Sequence, residues 1–221
     1  MLNRLDGILL AAGESRRMGY PKPLLTIDGK TFIEKISTTM LAVVPRLVVV
    51  LGAHADRIRR AIPRDDRIVI VENLNYSRGQ LSSLKIGLAA VQSDAAGAIV
   101  HLGDHPMVRV ESFRATVDSY ERTRKPIVIA RSGGHRGHPV IFDRSVFVEL
   151  QNAPEGEGAR HVVNADASRI EYVDLDDPGI NLDLDNRRDN PRTPHQGARR
   201  VHPRGAFRPP QTLDLINVES A

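Results

Sequence analysis

The sequence has 221 residues, with 31 lysines and arginines against 27 aspartates and glutamates and no cysteine. That length supports one sizeable core and is too short for two comfortable domains. The lack of cysteine excludes disulfides, thiolate zinc sites and cysteine nucleophiles, and fits a reducing cytoplasm, the expected location. The positive excess gathers at the end: beyond Asn190, Arg192, Arg199, Arg200, Arg204 and Arg208 face only Asp214 and Glu219. The rest is close to neutral and shows no basic stripe for a nucleic acid. No apolar run approaches the ~20 residues of a membrane span. Met1–Asp6 leads straight into a strand and is not expected to be a signal peptide.

The elements alternate in chain order. Residues 7–12 read as a continuously apolar strand, which is buried on both faces and points to a parallel sheet covered by helices. Residues 31–43 read as a helix with Phe32, Ile36, Met40 and Val44 on one stripe. A second buried strand follows at 47–51, a short helix at 56–62 stopped by Pro63, and a third strand at 68–71. A helix over 81–91, a strand over 98–102, a helix over 111–124 and a strand over 127–130 complete the regular alternation. Residues 139–142 read as a short strand returning over the site, residues 170–173 as a further strand, and residues 180–186 as an extended segment. This pattern gives a single-domain, three-layer α/β/α Rossmann-like fold with a mostly parallel central sheet. In such folds ligands sit beyond the carboxyl ends of the strands, so candidates should follow strands directly.

The first strand ends in Leu10-Ala11-Ala12-Gly13-Glu14-Ser15-Arg16-Arg17-Met18-Gly19-Tyr20-Pro21-Lys22. Glycines here let backbone N–H groups approach an anion. Arg17 offers a forked donor and Lys22 a compact charge, the two usual ways of holding phosphate. Neither the Walker pattern nor the dinucleotide Gly-x-Gly-x-x-Gly is present. After the third strand, Asn73 to Leu84 forms a polar loop, a glycine and serines in a first helical turn. It reads equally as plain capping by Ser77 or Ser82 and as an anion site at a helix N-terminus. After the fourth strand, Asp104 in Gly103-Asp104-His105-Pro106 suits a magnesium ligand completed by phosphate oxygens and waters. The alternative is a cap for the next helix, although Pro106-Met107-Val108 intervenes. His105 reads as lining, because Mg²⁺ favours oxygen.

After the fifth strand, Ser132-Gly133-Gly134-His135-Arg136-Gly137-His138-Pro139 is a glycine-rich turn. It is either a site element or a hairpin with solvated charges. In Asp183-Leu184-Asp185 both carboxylates share one face of an extended segment. They are either a second approach to the metal or a solvated edge. Beyond Asp189, proline, glycine and arginine dominate and no apolar period survives, so residues 190–221 are expected to be a disordered tail after a domain of 1–189.

The string from Leu9 to Lys22 resembles the signature of the MobA/MocA-like nucleotidyltransferases, and more closely the molybdenum cofactor cytidylyltransferases. Ala11-Ala12-Gly13 and Pro21-Lys22 are similar to the cytidylyl branch rather than the guanylyl one. The resemblance covers roughly residues 5 to 189. It implies a Mg²⁺-dependent transfer (Mn²⁺ as a substitute) of a nucleoside monophosphate from an NTP, taken as CTP, to the terminal phosphate of molybdopterin, with a molybdenum hydroxylase as the client of the product. It implies nucleotide contacts at Leu10, Ala11, Ala12, Gly13, Ser15, Asn73, Gly79 and Ser82. It implies acceptor contacts at Arg136 and His138, catalytic roles for Lys22, Arg17 and Asp104, and metal ligation by Asp104 with Asp183 or Asp185. The segment after Asp185 departs from the family pattern, reading Asn186-Arg187-Arg188. GTP as donor, another small phosphorylated acceptor, a non-catalytic nucleotide-binding chaperone and a redox enzyme are the rival readings.

Overall fold

The computed structural model describes residues 5–16 and 18–182. Arg17, Asp183, Asp185 and the expected tail lie outside the described residues. A seven-stranded sheet is built from β1 (Leu5–Ala11), β4 (Leu47–Leu51), β5 (Ile68–Glu72), β6 (Gly97–Leu102), β7 (Ile127–Ser132), β8 (His135–Asp143) and β9 (Ile170–Asp174). Its order is β5-β4-β1-β6-β8-β7-β9, and a small ribbon pairs β2 (Thr26–Ile27) with β3 (Lys30–Thr31). Every β1 residue is buried, because its side chains alternate between two cores. Leu5, Leu9 and Ala11 join α1 (Phe32–Leu41), α2 (Ala55–Arg59) and α4 (Val110–Thr123) on one face. Ile8 and Leu10 join α3 (Gln80–Ala89), α5 (Phe147–Asn152) and α6 (Arg160–Ala165) on the other. Thr31 caps α1 by accepting from Glu34 N at 3.3 Å, which starts the helix just ahead of its apolar stripe.

The strands β5, β4, β1 and β6 are parallel, as the apolar runs predict. The expected strand over 139–142 is longer and lies elsewhere. It is not laid over the site but inserted in the main sheet as β8, antiparallel to both β6 and β7. Its core half is a buried apolar run, Val140, Ile141 and Phe142, that fills both faces like any central strand. Because β8 is antiparallel, its start lies at the carboxyl end of β6, beside the turn carrying Asp104. The extended segment expected from Ile180 also fails over its described part: Pro178–Ile180 is a single 3-10 turn and Asn181–Leu182 forms no strand. Asp177 closes that turn from Gly179 N at 3.1 Å. Among the described residues no helix is long and apolar enough to cross a membrane.

Candidate active site

The loop leaving β1 folds around Ser15, whose φ of 51° is left-handed. Its carbonyl accepts from Met18 N at 3.0 Å and Gly19 N at 3.2 Å. Its hydroxyl accepts from Lys22 N at 3.0 Å, which fixes the backbone of the lysine across the loop. Ser15 therefore shapes the loop as well as lining it. A Cβ placed on Gly13 would meet nothing within 4 Å, so that backbone faces open space where an anion can approach. Arg16 is exposed and paired with Glu14.

A cavity of about 490 Å³ opens at the carboxyl ends of the strands. The first loop, from Leu10 to Ser15, lines one wall, together with Lys22. Gly79 and the start of α3 line another, and Leu102, Gly103 and Asp104 the floor. Gly52, at the end of β4, brings two of these loops together: a Cβ there would stand 2.7 Å from Tyr76 Cβ and 2.8 Å from Ala12 Cβ. No side chain caps the N-terminus of α3, so neither Ser77 nor Ser82 acts as that cap.

Asn73 and Ser82, expected against the nucleotide, stand behind the wall. Asn73 Nδ2 donates to Ser82 Oγ at 2.8 Å and to Ser83 Oγ at 3.0 Å, while its Oδ1 accepts from Asn75 N at 2.9 Å. Ser82 Oγ donates to Gly79 O at 2.7 Å. These groups are spent on one another and hold the loop. Ser83, Gln80 and Tyr76 line the cavity instead and escaped the sequence reading, as does Ser77, which that reading weighed only as a helix cap. Adjacent serines in a helix differ by about 100° in direction, and only the packing of α3 decides which one turns to the cavity.

Lys22 Nζ donates to Asp104 Oδ2 at 3.0 Å, and both side chains line the cavity. Asp104 does not cap α4. Asp177 serves that end, accepting from Arg109 N at 2.9 Å and Ser112 Oγ at 2.6 Å. Three histidines stand behind Asp104: the rings of His101, His105 and His138 lie 6.1–6.3 Å apart. Burial lowers the His101 pKa well below its usual value, and neighbouring His138 lowers it further. Burial, then His105, lowers the His138 pKa to about 4 against the opposing pull of Asp104. Both rings are neutral at physiological pH.

Among the described residues no group of three or more histidine, aspartate or glutamate side chains, the three histidines included, is placed to hold a metal ion. A cation at Asp104 would thus have one carboxylate from these residues and need oxygens from a substrate, a donor set that suits Mg²⁺ or Mn²⁺.

The two expected acceptor residues engage different neighbours. His138 joins the histidine cluster beside Asp104. Arg136 is exposed, stacks 5.0 Å over the Tyr172 ring, and donates to Asn164 Oδ1 at 3.3 Å. Between them, Gly137 admits the 178–181 turn: a Cβ there would lie 2.4 Å from Ile180 O. Asn181 Nδ2 donates to Ser132 O at 2.8 Å. The chain is thus anchored at the start of β8 two residues before Asp183.

Residues 7–170 match the family described as the MobA-like NTP transferase domain. The molybdenum cofactor cytidylyltransferase of Escherichia coli (strain K12) is 24% identical over 185 residues, 83% of this chain and 92% of that protein. The nicotine blue oxidoreductase of Paenarthrobacter nicotinovorans is 31% identical over 195 residues, 82% and 92% of the two chains. Among solved structures, Rv0371c from Mycobacterium tuberculosis H37Rv superposes with a TM-score of 0.74 and 30% identity over 86% of this chain and 97% of that one. Its complex with manganese gives a TM-score of 0.69 at 28% identity over the same shares.

Proposed function

The chain belongs to the MobA-like NTP transferase family, and from that premise we propose that it moves a cytidylyl group from CTP to the terminal phosphate of a molybdopterin-type acceptor, with Mg²⁺ and release of pyrophosphate. The observation that carries this is the Lys22–Asp104 pair at 3.0 Å on the wall of a nucleotide-sized cavity, beside the open backbone of Gly13. Nucleotidyl transfer needs alignment and charge neutralisation more than a strong base. A phosphate monoester, with a second pKa of about 6, is already an adequate nucleophile at neutral pH. Its oxygen forms a bond to the α-phosphorus while the α–β bridging bond breaks.

In this reading Lys22 gives up the carboxylate for a phosphate oxygen and, with Arg17, stabilises charge on the transferring and leaving groups. The Gly13 loop offers backbone donors, and Gly79 and Ser83 bound the nucleoside end. His138 orients the acceptor beside Asp104, and Arg136 holds its outer, anionic part. Mg²⁺ would be held by Asp104 together with Asp183 or Asp185, and would supply Lewis-acid charge to the transferring phosphate. Substitution of Mn²⁺ is consistent with the manganese complex of Rv0371c.

Pyrophosphate release is the test, with acceptor and each of CTP, GTP, ATP and UTP. Release with CTP supports the reading, release with GTP alone moves the donor, and release from none contradicts it. The relative named nicotine blue oxidoreductase favours a second reading, a redox activity on this scaffold. NADPH consumption at 340 nm with a dye-like acceptor would establish it.

A further inference from the structure

We infer that His101 is a positioning residue that holds the Asp104 turn in its productive direction. This rests on the reading of Asp104 as the carboxylate that meets the metal–nucleotide. His101 is the penultimate residue of β6, fully buried between Val100 and Leu102, with its ring 4.9 Å from Phe113 of α4. Packing alone does not ask for a histidine there. A phenylalanine or methionine would meet Phe113 with no polar atom to satisfy.

The imidazole instead carries a cost. Its Nε2 lies 3.0 Å from His105 O. A carbonyl only accepts, so Nε2 carries the hydrogen and Nδ1 is bare. Nδ1 is buried with no hydrogen-bond partner among the described residues. A buried, unsatisfied nitrogen disfavours folding. A residue that breaks the local packing rule at such a cost points to function.

What the bond achieves is visible in the turn. Gly103 N donates to Leu10 O at 2.9 Å, and a Cβ on Gly103 would stand 3.1 Å from that same carbonyl, so one side of the turn is pressed onto β1. On the other side, His105 N reaches Leu102 O at only 3.4 Å, a weak closure. The His101 bond to His105 O is the stronger of the two on that side. Asp104 is then suspended between two fixed points and faces Lys22. Without the His101 donor, the His105 side is released and the carboxylate spreads over more directions. Groups that orient a ligand from behind typically change metal affinity or activity about 10- to 100-fold when lost.

The experiment compares His101→Phe, which keeps a ring and removes the donor, with His101→Gln, whose amide N–H reaches about as far as Nε2. His101→Met is a second donor-less variant in case the phenylalanine ring does not fit. Binding of Mn²⁺ in the presence of CTP is read by electron paramagnetic resonance, alongside kcat, KM for CTP and thermal midpoints at pH 8. We expect His101→Phe to bind Mn²⁺ roughly tenfold or more weakly. We expect its kcat to fall in parallel, KM for CTP to be little changed, and its midpoint to match or exceed wild type. His101→Gln is expected within about threefold of wild type, on the same scale. Wild-type Mn²⁺ binding in both donor-less variants overturns the inference. So does a loss shared by all three variants with lowered midpoints, which would make His101 mere packing. Asp104→Asn separates the two levels: if it loses Mn²⁺ and the donor-less variants do not, only this inference falls. If it binds Mn²⁺ as wild type does, the reading of Asp104 falls and takes this inference with it.

Discussion

At the amino ends of the parallel strands, the fully buried Asp6 carboxylate accepts from Arg46 Nη1 at 2.8 Å and from Gln92 N at 2.9 Å. Arg46 Nη1 also reaches Ala90 O at 2.9 Å. At the carboxyl ends, Asp104 accepts from Lys22 Nζ at 3.0 Å, with the carboxylate side chain 27% exposed on a cavity wall. Both are acid–base pairs bridging distant segments. The first has a carboxylate with no exposure, and both partners are tied to backbone, Asp6 to Gln92 N and Arg46 to Ala90 O, so no solute reaches that carboxylate. The second is open on one side to a space of nucleotide size, so a phosphate can replace the carboxylate and a cation the ammonium. Distance alone does not separate scaffold from site; access does.

The largest effect should come from the enclosed pair. Arg46→Met leaves the Asp6 charge buried and unmatched, which should cost about 3 to 5 kcal/mol of stability, read by urea unfolding. The activity of the protein that remains folded should be unchanged. A fall in kcat at temperatures where the variant is fully folded would break the comparison. The open pair should show the reverse. Asp104→Asn and Lys22→Ala should each lower turnover by about 10²- to 10³-fold, with unfolding free energy within about 1 kcal/mol of wild type. Normal turnover with saturating metal in either variant would remove the pair from the mechanism.

A smaller effect sharpens the point about exchange. With the ammonium gone, the Asp104 carboxylate is open to a cation, so Lys22→Met should bind Mn²⁺ without nucleotide about threefold to tenfold more tightly than wild type. Equal or weaker binding, measured by paramagnetic resonance, would mean that the lysine does not compete. The smallest effect is in acid stability. Burial, then His138, lowers the His101 pKa below its usual 6.5, so the folded state favours the neutral ring. That stability is complete above about pH 6.5 and is lost as the pH falls towards the folded value, because the unfolded chain then binds the extra proton. The thermal midpoint of His101→Phe should fall less than that of wild type between pH 6.5 and 5. Parallel curves would contradict this.

The open end was more legible in the sequence than the enclosed one, for physical reasons. Strand β4 is an uninterrupted apolar run and β1 and β6 are apolar apart from Asp6 and His101, so the residues that follow β1 and β6, Gly13 and Asp104, had to lie at one edge of a parallel sheet. Lys22 was legible because charge after glycine and proline has few structural uses. What was not legible depends on contacts between distant segments. Asn73 and Ser82 are polar residues in the right loop, yet their side chains bond to each other, and no local pattern distinguishes a group facing a cavity from one facing its neighbour. The placement of β8 was missed because an apolar run of four residues carries no information about its direction or its partners. Asp6 was passed over because the strand was read from residue 7 and its partner lies 40 residues away, and His101 because one polar residue within an apolar strand looks like noise until its partner across one turn is in place. Arg17, Asp183 and Asp185 lie outside the described residues. The roles proposed for them rest on the resemblance to the family alone.

The most direct test of the central claim is transfer of α-labelled phosphate from CTP, GTP, ATP and UTP to purified molybdopterin-type acceptor, with and without Mg²⁺. The account predicts a labelled dinucleotide from CTP, abolished without the metal and reduced about 10²-fold or more in Asp104→Asn. Nucleotide bound but no label transferred from any of the four, with metal and acceptor saturating, would contradict it.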